Sequence, residues 1–210
     1  MEHKGLTIHW LGHASFMLEY QEKIIYIDPY QIGRTRPDAD YILITHDHYD
    51  HLSVEDIDNV RTSETIIIAP EVCRPKLQDI PSQLKTFAIG AEKELPDFTL
   101  TLVPAYNTNK KFHPKESGWV GFVLQFGDVT LYHAGDTDVI DEMKSINADI
   151  ALLPVSGTYV MTPKEAAEAA KTVKAKIAIP MHYGTIVGDI SHAEEFKKLL
   201  GKNAVILEKE

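Results

Sequence analysis

The segment ILITHDHYDH, residues 42–51, places His46, His48 and His51 within six positions, with Asp50 beside the last. Imidazole nitrogen and carboxylate oxygen together suit zinc, iron, manganese or nickel, and no thiolate is needed. In an extended chain residues i and i+2 share a side, so His46 and His48 point the same way if the strand continues past Thr45. Asp50 and His51 follow where the chain turns toward a helix. The plain alternative is a solvated, histidine-rich loop. Two further stretches weigh against it. YHAGDTD puts His133 and Asp136 directly after a buried run, and IPMHYG does the same for His182. Polar side chains at the ends of apolar strands are where sites are built on sheet scaffolds. Taken singly, each is a capped turn or a satisfied core histidine. Taken together, the donors exceed what one tetrahedral site uses, which suggests two metals with Asp136 as a bridge.

The elements that must hold these residues are mostly strands. LTIHWL, SFMLEY and KIIYIDP are short, β-branched and aromatic. YILIT, TIIIAP, DIALLPV and KIAIPM lack alternation, as in strands buried on both faces. FTLTLVPA is another strand, and WVGFVLQFGDVTLYHAGD reads as a hairpin turning at Gly127-Asp128. Ser53 through Asp56 approximates a capping box, Thr162-Pro163-Lys164-Glu165 is a full helix start, and Ser191 with Glu194 repeats the box before Gly201. A short helix is expected after Pro70. About a dozen strands and four or five helices result, which fits two packed sheets covered by helices.

THDHYDH, then HAGDTD, then PMHYG, in that order along the whole chain, resembles the metallo-β-lactamase-fold hydrolase superfamily. The opening WLGHASFML and the IDP at Asp28-Pro29 resemble the branch holding ascorbate-6-phosphate lactonase and the phospholipase D of N-acylphosphatidylethanolamines. The resemblance implies an α+β fold, an αββα sandwich of two mixed sheets with the metals at one edge. It implies His46 and His48 on a first metal, Asp50, His51 and His182 on a second, Asp136 on both, and Asp28 orienting a ligand. Where many relatives supply a third histidine to the first metal, this chain has Tyr106. His113, seven residues on, is the preferred substitute; ligation by Tyr106 and a weak or empty first site stay open.

One or two divalent ions are therefore expected, zinc foremost, with manganese, nickel or iron as alternatives. A metal-bound hydroxide would cleave a small ester, lactone or phosphodiester, with Asp50 handling its proton. Four more residues stand near this chemistry. His13 resembles the family's first-loop histidine. His133 is a supporting group or a core histidine. Tyr106 and Tyr159 are candidates to support the site or touch substrate, against plain packing. Lys110, Lys111 and Lys115 form the one basic run, read as a solvated loop in preference to an anion grip. Cys73 has no base nearby in sequence and reads as a small buried residue. Ser15 lacks the G-x-S-x-G elbow of a serine hydrolase.

Composition sets the outer limits. Of 210 residues 44% are hydrophobic, enough for a sizeable core, and a single domain over residues 1–210 is expected. The formal net charge of −10 argues against nucleic acid and anionic membranes as partners. The lone cysteine allows no internal disulfide, no signal peptide is visible, and no run approaches the ~20 apolar residues of a membrane span. A cytoplasmic enzyme acting on a small molecule is the expectation, with homo-oligomerisation open. The rival readings are an iron-dependent oxidoreductase of the same fold and a nuclease acting on RNA or DNA.

Overall fold

Strand alternation decides which layer each side chain enters. In β4 (Lys23–Ile27) Ile25 and Ile27 join the central core, while Tyr26 faces the opposite side with Met17 of β3 (Ser15–Tyr20). The same central core takes Leu6, Ile8 and Trp10 of β2 (Leu6–Gly12). The computed structural model describes every residue except Arg34.

The remaining strands are β1 (Glu2–His3), β5 (Tyr41–Leu43), β6 (Ile66–Pro70), β7 (Gln83–Phe87), β8 (Glu92–Glu94), β9 (Thr99–Pro104), β10 (Val120–Phe126), β11 (Val129–His133), β12 (Ile150–Pro154) and β13 (Ile177–Met181). They form two mixed sheets. One runs β1-β2-β3-β4-β5-β6-β7, and the other runs β13-β12-β11-β10-β9-β8. Helices α1 (Val54–Val60) and α2 (Arg74–Leu77) cover the first sheet through Ile57, Val60 and Leu77. Helices α3 (Pro163–Thr172) and α4 (Ile190–Leu200) cover the second through Ala166, Ala170 and Phe196. This is the expected α+β sandwich. Among the described residues no helix is long and apolar enough to cross a membrane.

Three expectations are corrected. The strands missed from sequence, β1, β7 and β8, all lie at sheet edges, where short polar segments carry little periodicity. Helix α4 is capped by Asp189, not Ser191: the Asp189 carboxylate accepts from the Ser191 amide, and the His192 ring accepts from the Asp189 amide. The Thr162–Glu165 box stands as expected. Ser53 caps α1, but the Asp56 carboxylate accepts from the amides of Gln31 and Ile32 and so ties down that loop instead of closing a box.

Topology explains the location of the donors. β2 and β4 are each antiparallel to β3, so they run the same way, and β5 is parallel to β4. Likewise β9 and β11 flank β10, and β12 and β13 are parallel to β11. The carboxyl ends of β2, β4 and β5 therefore meet at one edge of the first sheet, and those of β9, β11 and β13 at one edge of the second. The two edges are joined where the Val120 amide donates to the Thr45 carbonyl at 3.1 Å and the His182 amide to the His13 carbonyl at 2.8 Å.

Candidate metal centre

Most donors sit at or shortly after a strand end, and His113 is brought back from the loop after β9. His13 follows β2, Asp28 follows β4, and His182 follows β13. All three adopt left-handed backbone, with φ of 52°, 46° and 61°. That conformation costs about 1–2 kcal/mol in a residue with a Cβ, and strain of this kind gathers at functional sites. It turns the chain sharply where the strand stops. His46, His48, Asp50 and His51 follow β5 in a tight turn, closed by the amides of His51 and Leu52 donating to the His48 carbonyl.

The donor atoms gather into two groups, with a third set, Asp28, His46 and His51, spanning them. Atoms of His46, His48 and His113 lie within 4.8 Å of one another, and so do those of His13, Asp50, His51 and His182. Asp136 touches both groups. Its Oδ2 lies 3.1 Å from His113 Nε2 and 3.0 Å from His182 Nε2, and its Oδ1 lies 3.4 Å from His51 Nε2. These are close to the edge of about 3.3 Å expected between ligands on a tetrahedral ion with bonds of 2.0–2.1 Å.

The residues fit a metal by a stricter test. The Nε2 atoms of His46, His51, His113 and His182 and Oδ1 of Asp136 are buried without a hydrogen-bond partner among the described residues. Buried polar atoms are seldom left so, because each costs about 1–3 kcal/mol. The opposite nitrogen of each ring is engaged. His51 Nδ1 donates to Asp28 Oδ2 at 2.7 Å, and His46 Nδ1 donates to Thr45 Oγ1 at 2.9 Å, whose hydroxyl passes on to the same Asp28 oxygen at 2.6 Å. His113 Nδ1 meets Asn107 Oδ1 and the Tyr159 carbonyl, each at 3.2 Å, and His182 Nδ1 pairs with Ser156 Oγ at 3.1 Å. Engaged Nδ1 atoms set the tautomer that leaves Nε2 free to bind an ion.

The electrostatics ask for positive charge. Burial disfavours a charged His51, yet Asp136 and Asp28 outweigh it and hold its imidazole well above the ordinary value. Burial likewise opposes ionisation of Asp136, but His182 and His51 keep its carboxyl well below the ordinary range. His46 and His48 are pushed down, chiefly by burial. A divalent cation satisfies the carboxylates without requiring a proton on any ring.

His13 differs from the other rings. Its Nε2 faces Asp50 Oδ2 at 2.9 Å, and its ring lies 4.0 Å from that of His182. Burial lowers its pKa to about 4. For Asp50, burial works upward, but the His13 hydrogen bond and His51 prevail and set it at about 2. His13 thus orients an ionised Asp50.

Three sequence candidates lie away from the donors or only beside them. Tyr106 does not reach the cluster: its hydroxyl donates to Glu142 Oε2 at 2.9 Å and accepts from Lys115 Nζ at 3.1 Å. The backbone explains this, because the Tyr106 amide and carbonyl are both bonded to the Thr137 hydroxyl and the side chain is left facing outward. His133 meets no donor either. Its Nε2 donates to the Ala14 carbonyl and its Nδ1 accepts from the Gly135 amide, so it ties the loop after β2 to the loop carrying Asp136. Tyr159 offers its carbonyl to His113 and its ring to the cavity.

Several residues that shape the site carried no signal in the sequence reading. Trp119 packs on His46, His48 and His113 with ring centroids at 5.0, 4.5 and 5.3 Å and donates to Asp47 Oδ1 at 2.9 Å. Asn107, Thr45 and Ser156 position rings without being donors themselves, and a search for ligand types passes over them.

The donors floor a cavity of about 270 Å³, through His48, Asp50, His113, Asp136 and His182. Its walls are Tyr49, Phe112, Tyr159 and Ile186. Larger surface hollows of about 460 and 430 Å³ lie beside Lys171 and Asp40. Neither is lined by any donor of the two groups.

Residues 7–182 match the family model of the beta-lactamase superfamily domain. A UPF0173 metal-dependent hydrolase of Thermococcus kodakarensis is 32% identical over 96% of this chain and 95% of its own length. Another, of Staphylothermus marinus, is 37% identical over 92% and 90%. Among solved structures, one from Parabacteroides distasonis is 38% identical with a TM-score of 0.87, covering 98% of this chain and 94% of its own. A metallo hydrolase of Ignicoccus hospitalis is 25% identical with a TM-score of 0.80, over 97% and 95%. The chain belongs to the beta-lactamase superfamily, among its metal-dependent hydrolases.

Proposed function

We propose that this protein hydrolyses a small ester, lactone or phosphodiester at a binuclear metal centre. The observation that carries the reading is Asp136, one buried carboxylate set within 3.4 Å of partnerless Nε2 atoms from both donor groups. In this reading His46, His48 and His113 would hold one ion and Asp50, His51 and His182 the other, with Asp136 within reach of both groups. Nitrogen and oxygen donors favour zinc, with manganese, nickel and iron as alternatives. Divalent ions so held make water acidic near neutral pH and polarise an electrophile.

The chain's own residues supply the rest. Asp50 lines the cavity with Oδ2 on His13 Nε2, so a proton taken from the nucleophile passes to a carboxylate whose orientation is fixed. From there the proton passes to the leaving group. Against a nuclease stand the narrow cavity and the lack of any Lys or Arg in its lining.

The test is elemental analysis of protein purified without chelators, together with His46→Ala and Asp136→Ala, followed by assays on bis-(p-nitrophenyl) phosphate and simple lactones. Two metals per chain, depletion in both variants and turnover of either substrate class are expected. Loaded protein inert toward both classes overturns the reading. Iron with a visible spectrum and redox turnover redirects it to an oxidoreductase.

A further inference from the structure

The walls of the cavity bear on what fits beside the reacting bond. Tyr49, Phe112 and Ile186 are 65%, 50% and 37% exposed, three of the eight large hydrophobic side chains left in solvent among the described residues. Exposed apolar side chains gathered around one cavity mark a binding surface. Here they are held in place. The Phe112 ring meets that of Tyr159 edge-on at 4.6 Å, Tyr49 meets Tyr30 at 6.1 Å, and the Ile186 loop is closed by Gly184 donating to Gly188.

The nearby cations are turned away or already matched. Lys110 Nζ lies 2.5 Å from Asp138 Oδ1, Lys115 lies 3.0 Å from Glu142, and Lys76 lies 3.5 Å from Asp47. Lys111 is exposed and outside the lining. A charge carried by the substrate away from the reacting bond therefore meets aromatic and aliphatic walls with no free cation among them.

Resting on the hydrolase reading, we infer that the substrate is a small neutral ester or lactone whose uncharged apolar group lies against Tyr49, Phe112, Tyr159 and Ile186. A substrate with a second phosphate or carboxylate is disfavoured. The cavity falls just below the ~300–1,000 Å³ of drug-sized sites, so the group is short.

A matched pair tests this. p-Nitrophenyl hexanoate and mono-(p-nitrophenyl) adipate share a chain length and differ in a terminal carboxylate. The metal-loaded protein is expected to favour the hexanoate at least tenfold in kcat/KM, with up to about fourfold gained per methylene from acetate upward. Phe112→Ala raises KM for the hexanoate with kcat little changed, and Phe112→Arg shifts preference toward the adipate. Equal or better turnover of the adipate by the unmodified protein overturns the inference and leaves the hydrolase reading standing. If neither ester turns over, ester hydrolysis fails, and calorimetry with hexanamide and adipamic acid decides the wall separately: tighter binding of hexanamide supports it, and equal or weaker binding overturns it.

Discussion

Asn107 and His113 are joined at three points. The Asn107 amide donates to the His113 carbonyl at 2.7 Å, the His113 amide donates to Asn107 Oδ1 at 3.0 Å, and the same oxygen meets His113 Nδ1 at 3.2 Å. The clasp closes the loop between them and returns His113 to the strand end that Tyr106 has left. Asn107 Nδ2 also donates to the Tyr159 carbonyl, so one amide organises both a donor and a cavity wall.

Asn107→Ala is therefore expected to loosen His113 specifically. Metal affinity at one of two sites falls about 10–100-fold, as is typical when a supporting partner of a ligand is lost. Competition titration with a chelating dye measures this. Two sites of unchanged affinity would show that His113 needs no clasp.

Asp28 presents the complementary case. Through Oδ2 it reaches His51 directly and His46 by way of Thr45, one histidine from each group. Asp28→Asn should weaken both sites together, by at least tenfold each. Loss confined to one site would mean that the Thr45 link carries nothing.

Gly135 precedes Asp136 with φ of +63°, and a Cβ there would meet the Val120 carbonyl oxygen at 2.6 Å. Gly135→Ala must displace the loop that carries Asp136. A stability loss of roughly 2 kcal/mol or more is expected, with metal content reduced in the protein that still folds. Urea titration and elemental analysis together check this.

Removing the metals should be visible in Trp119, whose indole packs on three of the proposed ligands. Chelation is expected to change tryptophan emission and lower the melting temperature, since metal at 100 times its Kd adds about 2.7 kcal/mol. Trp119→Phe should abolish most of the emission change but keep the melting shift. If the emission change survives, Trp10, stacked on Tyr183, is the reporter instead.

Cys73 is fully buried, and burial pushes its thiol well above the ordinary value, with Asp47 and Asp28 adding to the effect. Burial raises the Tyr132 hydroxyl in the same way. Both groups keep their protons in the folded chain and lose them more readily when unfolded. Their contribution is thus intact below the unfolded thiol pKa of about 8.5 and declines as pH rises past it, further still past about 10 for tyrosine. Melting temperatures should fall steadily above pH 9, and a thiol reagent should label Cys73 only in denaturant. Rapid labelling of native protein at neutral pH would contradict the burial.

Much of the donor set is readable before any folding. His46, His48, Asp50 and His51 lie on one strand end and the turn after it, and Asp136 and His182 follow apolar runs of the same kind. Such patterns are local, set by the period of the strand and by where it stops. Most strands were legible for the same reason, apart from the edge strands, whose polar residues carry no period; the αββα layering came from the family resemblance of the motifs.

What folding alone decided is non-local. Nothing near Lys110 or Lys115 in sequence predicts that Asp138 and Glu142, 28 and 27 residues away, neutralise them. No spacing rule turns Tyr106 outward, sets Trp119 against three imidazoles or folds residues 107–113 back on themselves. Those outcomes follow from hydrogen bonds and ring contacts between loops that folding brings together, within the second sheet for the lysines, Tyr106 and residues 107–113 and between the two sheets for Trp119 on His46 and His48. The local sequence determined which residues could bind a metal. The packing of one sheet edge against the other decided which of them lie together and which walls stand beside them.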